Sequence, residues 1–177
     1  MPAGKTCRLV ASYARESKTK GVAMPRSLPP DQIDFHEPYT ERGVRRYWSK
    51  IWNFAPDMDY TLFVQAPLGS DMAGDPLGEV GCPYVVRNFD FDYVGLLWFS
   101  DLVWRTERWV VNLDQVHETG ISRITGSAAR DPTSQDYADV LDAVKSAYRI
   151  LLTRAMKGVF VWCEDAETRR FLEACLR

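Results

Sequence analysis

Apolar residues follow two rhythms along this chain. Short runs of strand length, rich in β-branched and aromatic residues, occupy Cys7-Arg-Leu-Val-Ala-Ser-Tyr13, Tyr60-Thr-Leu-Phe-Val64, Phe91-Asp-Tyr-Val-Gly-Leu-Leu-Trp-Phe99 and Val159-Phe-Val-Trp-Cys163. The run from Phe91 to Phe99 is nearly continuous, as in a strand covered on both faces by helices, which places it at the centre of a parallel sheet. Leu102-Val-Trp-Arg105 and Arg108-Trp-Val-Val111 flank Thr106-Glu107 and predict an added β-hairpin. The second rhythm begins at Tyr137, where Val140, Leu141, Val144, Ala147, Tyr148, Leu151 and Leu152 fall at helical spacing. Thr133 or Ser134 caps this helix, and Gly158 marks the departure from its end. Val159 to Cys163 then reads as a buried strand, and Asp165 caps a last helix through about Cys175.

Between these elements the pattern breaks. Pro25, Pro29, Pro30 and Pro38 exclude a long helix or central strand from Arg15 to Pro38, leaving a surface excursion with a short strand at Ile33-Asp-Phe35. Residues 67 to 78 hold three glycines and two prolines, so the chain crosses the surface before re-entering at Glu79 to Val86. A helix, a short turn, an apolar strand and a capped helix make an α/β arrangement, expected as one domain over residues 1 to 177. Mobile insertions are expected near residues 15–45 and 112–133. No internal repeat or low-complexity tract is evident.

At 46% hydrophobic and 26% charged residues, the 177-residue chain has an ordinary globular composition. Its net charge of −2 excludes a strongly basic nucleic-acid-binding surface, so any such contact must be local. The segment Arg42-Gly-Val-Arg45-Arg46-Tyr47-Trp48-Ser-Lys50 sets four cations beside two aromatics that can stack on bases. The plainer reading of the same residues is a solvated helix or loop face. Cys7, Cys82, Cys163 and Cys175 are widely spaced and accompanied only by His36 and His117, which predicts reduced, mostly buried thiols and no metal site. No apolar run approaches the roughly 20 residues of a membrane span, and no signal peptide opens the chain, so a cytoplasmic protein without a membrane partner is expected.

Gly4-Lys5-Thr6 looks superficially like the end of a phosphate-binding loop, but that motif needs a glycine five positions earlier and only three residues precede Gly4. Asp90 and Asp92 alternate on an extended chain, where they can pair on a metal or simply meet water and backbone at a strand entry. Arg149, Arg154 and Lys157 crowd the end of a helix, where cations interact favourably with its dipole.

Tyr148-Arg-Ile-Leu-Leu-Thr-Arg154-Ala-Met-Lys157-Gly also resembles motif VI of superfamily-1 helicases. With Cys7–Tyr13, Trp52-Asn53, Glu79-Val-Gly-Cys82, Asp90–Gly95 and Asp101-Leu-Val-Trp-Arg105, in that order, most of the chain resembles the Schlafen group 3-like DNA/RNA helicase domain, a P-loop NTPase group. The resemblance implies a RecA-like fold corresponding to the C-terminal half of a helicase or translocase. It implies that Arg154 serves as an arginine finger toward ATP and Mg held by an N-terminal P-loop domain, in cis or in trans. Thr153, Lys157 and Asp90 would lie beside that nucleotide, and no ATP would bind this chain alone. Where the family carries His-Thr-x-Gln-Gly, this sequence reads Tyr84-Val-Val-Arg87-Asn88, with Arg87 a candidate phosphate contact. Arg45, Arg46 and Trp48 complete the expected contacts to single-stranded DNA or RNA. The alternative is a degenerate, non-enzymatic RecA-like module that binds a partner protein or single-stranded nucleic acid.

Overall fold

The computed structural model describes residues 6–53 and 60–176. Gly4 and Lys5, considered above as the end of a phosphate-binding loop, lie outside the described residues.

Among the described residues, eight strands build two sheets: β1 (Cys7–Ala11), β2 (Phe35–Glu41), β3 (Val44–Trp52), β4 (Glu79–Gly81), β5 (Phe91–Trp98), β6 (Leu102–Arg105), β7 (Arg108–Val111) and β8 (Ala155–Cys163). The main sheet has the order β2-β3-β4-β1-β5-β8, and only the β2–β3 pair is antiparallel. Strands β6 and β7 form the separate hairpin that the sequence predicts. Helices α1 (Thr61–Gln65), α2 (Asp71–Gly74), α3 (Pro83–Val86), α4 (Ser122–Ala128), α5 (Gln135–Leu152) and α6 (Ala166–Cys175) flank this mostly parallel sheet, giving an α/β fold. No helix among the described residues is long and apolar enough to cross a membrane.

The principal helix starts where Ser134 accepts a hydrogen bond from the Tyr137 amide, and α6 starts where Asp165 accepts one from Thr168. Val140, Val144, Tyr148 and Leu151 form the buried stripe of α5. Tyr148 stacks on Trp98 of β5 at 3.9 Å, which fixes the helix against the face carrying Val94, Leu96 and Trp98. Gly81 admits Phe63 of α1 against the same layer, because a Cβ there would lie 2.6 Å from its ring.

Several local expectations are overturned. Tyr60–Val64 is not a strand: Thr61–Gln65 forms α1, whose last carbonyls, Phe63 O and Val64 O, accept from buried Arg8 at 2.6 and 2.8 Å. Strand β5 is internal but second from the edge, and the centre belongs to β4 and β1. Its burial alternates, with Tyr93, Gly95 and Leu97 only partly covered, so it is not enclosed equally on both faces. Val159–Cys163 lies in the outermost strand rather than a buried one, and leaves Phe160 71% and Trp162 45% exposed. Gly158 sits within β8, while α5 ends at Leu152 with a Thr153 cap.

The Arg42–Lys50 segment is neither helix nor loop. Arg42 and Gly43 form a turn with φ of 50° and 79°, and β3 returns along β2. That antiparallel pair carries Phe35, fully buried and stacked on Trp52 and Phe99, so the excursion contributes to the core. Although β2 and β8 are opposite edges of the sheet, Tyr39 and Trp162 line one groove of about 310 Å³. The sheet is therefore curled toward that face. Residues 112–133 hold α4, whose Ala128 is fully buried. Cys82 and Cys163 are buried, Cys7 is half-buried and Cys175 is exposed, and all four are free thiols.

Candidate functional site

The end of α5, the start of β8 and the entry to β5 bring Thr153, Arg154, Lys157 and Asp90 to one edge of the sheet. Thr153 turns its hydroxyl back onto the Arg149 and Ile150 carbonyls at 2.8 and 3.0 Å, which closes the helix. Arg154 follows, its Nε donating to Ile150 O at 3.2 Å and Nη2 donating to Thr153 Oγ1 at 3.3 Å. Its Nη1 lies 3.3 Å from the carboxylate of Asp90, which enters from the residue before β5. The Arg154 carbonyl meanwhile accepts from Phe91 N at 2.8 Å, so backbone pairing sets the distance between the two side chains.

Asp92 is tucked beneath this surface pair and forms an ion pair with Lys157. Thr6 N donates to its second oxygen at 2.8 Å, and Asp92 N donates to Thr6 Oγ1 at 3.0 Å. The Lys157 ammonium, followed by Thr6, holds the Asp92 carboxyl below its usual range, and Asp92 in turn raises Lys157. The two aspartates thus serve two different cations and do not form a shared site. Among the described residues, no group of three His, Cys, Asp or Glu side chains could hold a metal ion.

Other selected residues stand elsewhere. Alternation along β3 divides its cationic cluster between two faces. Arg45 lies over Tyr47, whose ring stacks on His36 at 4.4 Å, on one side. Arg46, held by Glu41 at 2.9 Å, and Trp48, packed against Phe35, occupy the other. Arg45, Arg46 and Trp48 therefore do not form one contiguous strip, and Trp48 lines the groove that Tyr39 shares with Trp162.

Arg87, at the end of α3, covers the ring of Tyr84 and lines a cleft with Tyr13, Glu118 and the α5 face from Ala143 to Ile150. Its aromatic wall is the Tyr13–Tyr84 pair, with centroids 5.6 Å apart. Burial is the largest of several influences raising the Tyr13 phenol, and Glu118 adds to it while Arg87 opposes it. Tyr13 and Pro83 lie just beyond the carboxyl ends of β1 and β4, where open α/β sheets commonly form ligand crevices.

Sequence reasoning did not select a buried polar centre beside that cleft. Asp101 accepts hydrogen bonds from the Ser12 and Tyr148 hydroxyls, the latter at 2.5 Å. Desolvation raises its carboxyl despite those donors, and burial likewise raises Tyr148. Asp101 and Tyr148 were visible as members of patterned segments, but their meeting depends on how α5 crosses the sheet.

The chain matches the family model for the Schlafen group 3, DNA/RNA helicase domain, over residues 2–165, and it belongs to that family. Membership makes its role helicase-like. No curated protein and no solved structure matches the chain.

Proposed function

We propose that this domain is the C-terminal, RecA-like half of a helicase or translocase NTPase and contributes Arg154 to ATP and Mg bound by an N-terminal P-loop domain, in cis or in trans. The supporting observation is the placement of Arg154 just past the end of α5, where its guanidinium pairs with an exposed carboxylate, Asp90, besides its contacts to Ile150 O and Thr153. An exposed ion pair contributes about 0–1 kcal/mol. An arginine finger accelerates phosphoryl transfer by on the order of 10³–10⁵, equivalent to roughly 4–7 kcal/mol of transition-state stabilisation. Release of Arg154 from Asp90 therefore costs little beside the transition-state stabilisation that an arginine finger supplies.

Arginine suits this task because its planar fork offers several donors and remains charged. Thr153 holds the helix end from which it projects, and Lys157 adds a second cation beside it. Asp90 provides the resting contact. ATP turnover by the purified chain, alone and after addition of a P-loop domain from the same family, tests the division of labour. Turnover is expected only in the mixture; robust hydrolysis by the chain alone contradicts it.

A further inference from the structure

We infer that the outer edge of β8 pairs antiparallel with the same strand of a second copy of this chain, joining two sheets across a twofold axis through Phe160. Strand β8 ends the sheet order, and no strand lies beyond it among the described residues, which leaves an open row of backbone amides and carbonyls. The opposite edge, β2, is guarded by Pro38 and by the acids Glu37 and Glu41. Strand β8 has no proline, and Lys157 is its only charged residue. Met156, Phe160, Val161 and Trp162 are exposed along it. A long apolar edge without such guards is a template for another strand.

The strand's own sequence selects the partner. Its register with β5 shifts between Ala155 and Gly158, then runs unbroken to Cys163. Opposed residues of an antiparallel pair share a face, so a twofold axis normal to the sheet must pass through a residue of this regular part. An axis at Phe160 sets Phe160 against Phe160, Val159 against Val161, and Gly158 against Trp162 of the second copy. Gly158 has only the Tyr93 ring within 4 Å of the place a Cβ would take, an open site that the second copy's indole covers. Just beyond, Lys157, half-exposed although paired with Asp92, falls beside the second copy's exposed Glu164, and symmetry repeats that charge match at the other end. The four rings of Phe160 and Trp162, each able to bury roughly 150–250 Å², leave several hundred Å² to cover, the scale of a small, reversible dimer.

Sedimentation velocity of the 177-residue chain, from micromolar to millimolar concentration and without nucleotide, tests the pairing. The mass rises toward that of two copies. Phe160→Lys sets like charges face to face at the axis and weakens association at least roughly tenfold. Its melting profile is unchanged, because the ring it removes is largely exposed. In a Cys175→Ser background, Phe160→Cys forms a disulfide between copies under mild oxidation, since paired strands hold opposed Cα atoms about 4.5–5.5 Å apart. Tyr39→Cys, on the guarded edge, does not. A single copy at every concentration, association of Phe160→Lys equal to that of wild type, or crosslinking through Tyr39→Cys in place of Phe160→Cys overturns the assignment. Growth beyond two copies makes the contact head-to-tail and also overturns it. Neither measurement involves ATP or Arg154, so the nucleotide proposal stands or falls separately.

Discussion

The side chains with the strongest physical constraints are not those most conspicuous in the sequence. Arg8 is a cation on a core strand, yet its guanidinium is satisfied by the Cys7, Phe63 and Val64 carbonyls. Asp101 is an acid in the interior, surrounded by hydroxyl donors rather than a cation. Because burial raises its carboxyl above the usual 3.8, its stability contribution is fully present below that value and is lost as pH rises through the folded-state pKa. Urea midpoints measured from acid to neutral pH should consequently fall less steeply for Asp101→Asn than for wild type. Burial also raises Glu79, while Asp92, Asp131 and Asp165 are held low and act in the opposite sense, so the difference between the two profiles is what reports Asp101. Superimposable pH profiles contradict the assignment of this effect to Asp101. The Arg154–Asp90 neighbourhood was suggested by short motifs, but the pair itself was not legible, because strand pairing brings together residues far apart along the chain.

At the scale of elements, local chemistry predicted the helix starts and the β6–β7 hairpin well. Ser134 and Asp165 are side-chain caps whose function depends on the following turn, so their signal is local. The short apolar run at Tyr60–Val64 lacked such a signal. A distant side chain, Arg8, supplies the cap that helps define it as α1. The exposure of Phe160 and Trp162 was equally hidden, since an edge position is set by strand order rather than by hydrophobicity. The hairpin retains a local conflict: Thr106 and Glu107 have φ of 48° and 62°, a conformation that favours Asn-Gly. Replacing Thr106-Glu107 with Asn-Gly should raise stability by about 0.5–1 kcal/mol in urea denaturation. An unchanged or lower stability contradicts this account of the turn.

Across the whole molecule, one packed layer positions three features. Helix α5 covers β5, forms the floor of the aromatic cleft and ends at the Arg154 cluster. The mostly parallel sheet was legible from its apolar runs, whereas its curl was not, because that geometry arises when the β2–β3 pair approaches the β8 side. Family membership supplies the helicase-like role, and the partly buried Arg154 beside exposed Asp90 supplies the proposed link to nucleotide chemistry. The most direct test joins this chain to a P-loop domain and compares ATP turnover with that of Arg154→Ala, using melting profiles to verify folding. A loss on the order of 10³–10⁵ in turnover with folding retained is the predicted result. An unchanged rate in the folded Arg154→Ala protein contradicts the proposed division of the active site.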